Sequence, residues 1–313
     1  MNPSEGLFTP LVPTQSIGSK SMSTRGEVAT TTARGATKER RSLVPLGGLD
    51  LKFGGLVDCI EPNRRPGDII LSKENRTALD GLVTEFRNAE RLRRHSLVPR
   101  SRILFCGAPG SGKTLAAEVF AYQVGLPLFI ARLDAIVSSF LGETASNLRK
   151  LFDEVARKPA VLFLDEFDAF AHARRDANEH SEMRRVVNVL LMLVDNYRTR
   201  GFLIAATNLQ DKIDSALWRR FDEVLLFDLP NEARIKEMLK LRTKNFPAAF
   251  DISRKASKLR GMSFADIDRI CIDAIKRSIL TDNKLILESH FDSAIREEQR
   301  RQKARTRIER RRH

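Results

Sequence analysis

Gly107-Ala108-Pro109-Gly110-Ser111-Gly112-Lys113-Thr114 stands between an apolar run, Ile103-Leu104-Phe105-Cys106, and an alanine-rich amphipathic stretch, Leu115 to Tyr122. The run predicts a buried strand and the stretch a helix, with the glycines as the loop between them. Glycine carries no Cβ, so backbone N–H groups can converge on a polyphosphate, and the helix N-terminus adds a favourable dipole. Lys113 can then reach the outer phosphates, the Thr114 hydroxyl can ligate Mg2+, and Leu115 completes the cradle as the helix begins. An ordinary glycine turn is the alternative, but chance yields this pattern in such a chain with a probability on the order of 1%. A nucleotide site is expected.

Further along, Ala160-Val161-Leu162-Phe163-Leu164 is an apolar strand ending in two carboxylates, Asp165 and Glu166. In a parallel α/β sheet its end shares an edge with the glycine loop. Asp165 is suited to hold Mg2+ and Glu166 to polarise the water that attacks a γ-phosphate. A third strand, Phe202-Leu203-Ile204-Ala205-Ala206, ends in Thr207-Asn208, where the Asn208 amide suits either a phosphate contact or an Asx turn. Phe140-Leu141-Gly142, at a loop tip before a helix expected over 145–156, fits either a core anchor or a grip on an extended polypeptide.

The 313 residues, 42% of them hydrophobic, suffice for one large or two smaller domains. A net charge of +14 favours acidic partners without identifying one. The three cysteines, Cys59, Cys106 and Cys271, are far apart and form no C-x-x-C, which points to a reducing compartment and away from disulfides or zinc. His172 and His180 lack neighbouring metal-ligand residues. With no apolar run of membrane-spanning length and no signal-peptide core, a cytoplasmic protein without a membrane partner is expected. Residues 1–48, rich in Ser, Thr, Pro and Gly, read as a disordered basic and polar tail, and 49–66 as a linker or short extension. An α/β nucleotide-binding domain is expected over 67–229, with Ser72 capping its first helix and Ile69 and Ile70 near the base. A helical domain follows over 230–298, then a basic helix or tail over 299–313.

Taken together, Gly107–Thr114, Phe140–Phe152 and Val161–Ala169 resemble the AAA+ ATPases, within them the AAA branch of protein-remodelling motors. The resemblance runs from about Asp68 to Arg296 and implies a P-loop NTPase fold: a parallel sheet sandwiched by helices, then a small α-helical lid. It implies ATP and Mg2+ as cofactors and a homo-oligomeric ring, hexameric in form, that threads a protein substrate past Phe140-Leu141 and leaves room for a separate protease or effector partner. Asn208 matches the family's first sensor. Arg219 and Arg220, before Phe221-Asp222, match the segment that sends an arginine finger into a neighbouring site, Arg220 the better of the two. That segment is shorter than the usual pattern, and Glu223 stands where many relatives have a second arginine. Gly261-Met262-Ser263-Phe264-Ala265-Asp266 resembles the lid signature, with Phe264 in place of the customary glycine. The rival expectation is a nucleic-acid-binding switch of the same superfamily that uses its basic tails.

Overall fold

The computed structural model describes residues 57–133, 141–167, 181–197, 200–208 and 218–309. Phe140, the N-terminal stretch 1–48, His172 and His180 lie outside these residues. Six strands, β1 (Val57–Ile60), β2 (Arg102–Gly107), β3 (Leu128–Arg132), β4 (Val161–Asp165), β5 (Phe202–Thr207) and β6 (Glu223–Phe227), form one sheet in the order β1-β3-β4-β5-β2-β6. All neighbours run parallel except β1, which pairs antiparallel with β3 in the register Val57 to Ala131.

The strands are nearly continuous in apolar residues because both faces are covered. Alternate residues diverge: Ile103, Phe105, Val161, Phe163 and Ile204 pack under helices α1 (Lys73–Arg87) and α3 (Lys113–Val124). Leu104, Cys106, Leu162, Leu164 and Leu203 pack under α4 (Leu141–Ala156) and α5 (Ser181–Asn196). A short helix, α2 (Ala89–Arg94), follows α1. Ser72 caps α1 through Asn75 N–H (3.1 Å), and the Asn75 side chain donates to the Leu226 carbonyl (2.8 Å), occupying an acceptor on the edge strand β6.

Two boundaries differ from the sequence expectation. The sheet begins before residue 67, because Val57 and Cys59 face the core and β1 completes the edge beside β3. Helix α4 begins at Leu141 rather than 145, so Leu141 and Gly142 belong to its first turn instead of a loop tip. Ala145, Leu148, Leu151 and Phe152 supply its buried stripe, and the helix extends one turn ahead of it.

From Glu232 onward the chain is helical: α6 (Glu232–Arg242), a 3₁₀ segment (Ile252–Leu259), α7 (Phe264–Leu280) and α8 (Glu288–Glu309). Ile235, Leu239, Ile267, Ile270 and Phe291 form its core, against which Ile70 from the α/β part also packs. Helix α8 runs through 298/299 without interruption, and Glu298 on it is buried.

Candidate active site

The glycine loop leaves β2, between β5 and the edge strand β6, and β4 and β5 deliver Asp165, Glu166 and Asn208 to the same edge. This is where an open α/β sheet binds ligands. Gly107 is obligatory for packing: a Cβ there would lie 2.2 Å from the Phe227 carbonyl oxygen on β6. Lys113 is buried, and its ammonium donates to the carbonyls of Gly107 (2.6 Å) and Ala108 (3.1 Å) and to Asn208 Oδ1 (2.9 Å). The Thr114 hydroxyl lies 3.4 Å from Asp165 Oδ2. Ser111 is buried in the cradle, and its hydroxyl has no hydrogen-bond partner among the described residues. A buried hydroxyl of this kind is costly unless a ligand completes it.

Glu166 is not a continuation of β4. Its φ of 56° puts it in the left-handed region, which costs a non-glycine residue about 1–2 kcal/mol. Its N–H bonds Asp165 Oδ1 (3.0 Å), and the next N–H, of Phe167, bonds the Ala206 carbonyl on β5 (2.8 Å). The neighbouring strand therefore holds the turn at Glu166 in place. Strain maintained this way is a mark of functional positions.

A cavity of about 370 Å³ joins these groups to the lid. Its phosphate end is formed by 109–115 with Asp165, Glu166 and Asn208, and its far end by Asp68, Ile69, Ile70, Met238, Phe264 and Asp268. Gly110 has a φ of 74°, and a Cβ on it would meet Ser263 Oγ at 2.7 Å, so the lid rests directly on the loop. Ala265 N–H donates to the Gly110 carbonyl (3.2 Å). Phe264, unlike the family's glycine, therefore reaches the cavity wall while its neighbours make the loop contact. Met238, Arg242 and Asp268 had no distinguishing sequence signal. Arg242 reads as an ordinary cation in the last turn of a helix, yet it pairs with Asp268 (2.7 Å) at the cavity.

The start of α7 is itself braced. Ser263 and Asp266 form a reciprocal cap, with Ser263 N–H and Oγ donating to Asp266 Oδ2 at 3.0 and 2.8 Å. Arg269 bridges Asp266 to the buried Glu298 on α8 (3.0 Å), and Gln302 donates to Asp266 Oδ2 (3.2 Å). Burial pushes the Asp266 carboxyl up, but the Ser263 hydrogen bonds and the Arg269 charge outweigh it and hold the group below its ordinary range.

Arg219 and Arg220 line none of this cavity. They sit on a turn fastened at both sides: Phe221 packs edge-on against Phe167 (6.1 Å), and Asp222 accepts from Ser101 N–H and Arg102 N–H, both at 3.0 Å. Arg220, the better sequence match to a finger, is engaged by Asp195 (3.0 Å) on α5 of its own chain, whereas Arg219 is exposed. Glu223 pairs with Arg100, which also takes Glu85 (2.9 Å). Its charge is thus spent inside the chain, fastening α1 to β6. Among the described residues no group of three His, Cys, Asp or Glu could by itself hold a metal, and no helix is long and apolar enough to cross a membrane. The three cysteines are buried, and burial pushes Cys106, beneath the loop, up to about 12.

Strand, phosphate cradle, carboxylate pair and amide at one sheet edge define a P-loop nucleoside triphosphatase. Residues 103–229 match the family described as ATPase family associated with various cellular activities (AAA). The chain is 50% identical over 268 residues to the "Uncharacterized AAA family ATPase y4kL" of Sinorhizobium fredii, covering 86% of this chain and 81% of that one. It is 32% identical to the "ATP-dependent zinc metalloprotease FtsH 3" of Sphaerobacter thermophilus and 30% to the FtsH of Mycoplasmopsis synoviae. Each alignment covers 82% of this chain, but only 57% and 40% of those longer proteins. The chain belongs to the AAA family of ATPases and is an ATP hydrolase.

Proposed function

We propose that this ATPase works as a homo-oligomeric ring, hexameric by family likeness, and uses hydrolysis to unfold, thread or remodel protein substrates. The observation that carries the reading is the fastened turn at 218–222, which holds the exposed Arg219 away from its own chain's cavity. An arginine carried on a fastened turn away from its own chain's cavity is suited to a neighbour's site, and a head-to-tail contact of that kind closes into a ring where the rotation permits. Arg219 is the finger in this reading, and Arg220, paired with Asp195, holds the turn in place. The FtsH relatives, named as ATP-dependent proteases, support a protein substrate. A separate protease or effector partner and a cytoplasmic location belong to the same reading.

Lys113 binds the outer phosphates, and the loop amides and the Ser111 hydroxyl bind the rest of the chain of phosphates. Thr114 and Asp165, whose side-chain oxygens lie 3.4 Å apart, fit Mg2+, which takes few protein ligands beside phosphate and would neutralise phosphate charge. Glu166 draws a proton from water as its oxygen bonds the γ-phosphorus and the bond to the β-bridging oxygen breaks. Asn208, already oriented by Lys113, lies where it can align that water or the γ-phosphate. Phe140 and Leu141 grip the substrate, with Gly142 beside them, as their family likeness implies.

Mixing two inactive variants tests the shared site. Arg219→Ala lacks the finger and Glu166→Gln lacks the base, so each alone should lose about 10²-fold or more in ATP turnover while binding nucleotide. A mixture should regain turnover at interfaces that combine one intact half from each. A mixture as inactive as its components would refute hydrolysis between subunits. Phe140→Ala should keep ATP binding and lose remodelling of an unfolded-protein probe; full remodelling would reject threading.

A further inference from the structure

We propose that α8 carries a binding surface for the phosphate backbone of nucleic acid, an activity separate from protein remodelling. One face of the helix is spent on the lid, where Phe291, Ala294, Ile295 and Glu298 are buried. On the opposite face Arg296, Arg300, Lys303 and Arg307 recur at spacings of four, three and four, which aligns them in one narrow stripe. The stripe is about 16 Å long at 1.5 Å per residue. All four are exposed, and none pairs with a carboxylate among the described residues; Arg296 donates to the Ser293 hydroxyl (2.8 Å). Arg301, off the stripe, is by contrast matched by Glu297 (3.2 Å), Glu298 (3.3 Å) and Asp273 (3.5 Å). The helix neutralises the cation that faces α7 and leaves the outer row open.

Charge and shape select the occupant. Protein interfaces draw their energy from buried aromatic and apolar anchors, and the exposed positions beside the stripe are Gln299, Ala304, Arg305 and Thr306. A membrane-surface helix needs a free apolar face, and here that face is buried in the lid. A nucleic acid duplex supplies one negative charge per about 1.7 Å of axis, and release of its counterions drives binding without apolar contact. Lacking an exposed aromatic side chain, the stripe has nothing on which to stack bases, so contact is with the backbone and independent of sequence.

The test is fluorescence anisotropy of the full chain with a short labelled duplex over a range of salt concentrations. Replacing three of the four cations (Arg300→Ala, Lys303→Ala, Arg307→Ala together) should reduce the magnitude of the log K against log salt slope by about 2.7, at about 0.9 per phosphate contact. Binding at low salt should weaken about tenfold or more, with basal ATP turnover and thermal midpoint unchanged. The charge-preserving set Arg300→Lys with Arg307→Lys should retain the slope. An unchanged slope in the triple variant would overturn the proposal. So would equal affinity for polyglutamate of matched charge, which assigns the stripe to an acidic protein, or stronger retention on phosphatidylserine vesicles, which assigns it to a membrane.

Discussion

The α/β part and the lid are both built on apolar cores, but they are fastened by different forces. In the first, side chains such as Phe163, Phe105 and Leu162 are sealed between two helical layers, and the phosphate loop inherits its position from strands fixed on both sides. In the lid, the residues that touch the loop, Ser263 and Ala265, are set by a chain of charges from Asp266 through Arg269 to Glu298. Hydrophobic burial is non-directional and insensitive to protonation, whereas a charged brace fixes direction and depends on pH. One region sets whether the chain folds; the other sets how the lid sits on the phosphate loop.

That contrast breaks first, and most severely, at the sheet. Phe163→Ala should cost about 3–5 kcal/mol of stability, read as a lower urea midpoint for the α/β signal. An effect below 1 kcal/mol would mean the sheet is not the fastening element. At the junction, Gly110→Ala meets a left-handed φ and the Ser263 hydroxyl together. Nucleotide affinity should fall about tenfold, following about 1–2 kcal/mol of strain, with little change in the sheet's urea midpoint. Within the brace, Arg269→Gln should raise the KM for ATP about fivefold with kcat nearly unchanged, and Arg269→Lys should recover part of it. Equal losses in both constants would place Arg269 in the chemistry instead. The smallest effect concerns acid. Because the Asp266 carboxyl is held below its ordinary 3.8, the folded lid binds fewer protons than the unfolded chain just below that value. Its contribution is complete above that pH and is lost as pH falls through the lowered value. Asp266→Asn should therefore lower the neutral plateau of the thermal midpoint slightly and flatten its acid limb, measured between pH 7 and pH 3, because the contribution lost in acid is then absent throughout.

The same contrast explains what could be read from the sequence. The phosphate loop, the carboxylate pair and Asn208 were legible because each follows an apolar strand within a few residues, and the parallel sheet brings such strand ends together. Cap residues such as Ser72 were equally local. The strand Val57–Ile60 was not, since four residues carry too little periodicity and it exists through pairing with β3. The brace from Asp266 to Glu298 and Gln302 spans two helices, so no local pattern announces it. Arg220 shows the limit of motif matching: adjacency to Phe221 marks the segment, while only the position of α5 decides that Asp195 takes this arginine and leaves its neighbour exposed.

Lys113 carries one more implication. Its ammonium already has acceptors in two loop carbonyls and Asn208, so a triphosphate does not meet a bare cation but must displace partners. Binding is an exchange reaction, and its net gain is small unless several phosphate oxygens arrive together along the loop amides. A simple oxyanion gives up its own hydration to break those bonds and gets too little in return. The loop should thus behave as a filter for chain length, nearly indifferent to inorganic phosphate in the surrounding solution and responsive to the polyphosphate that spans it.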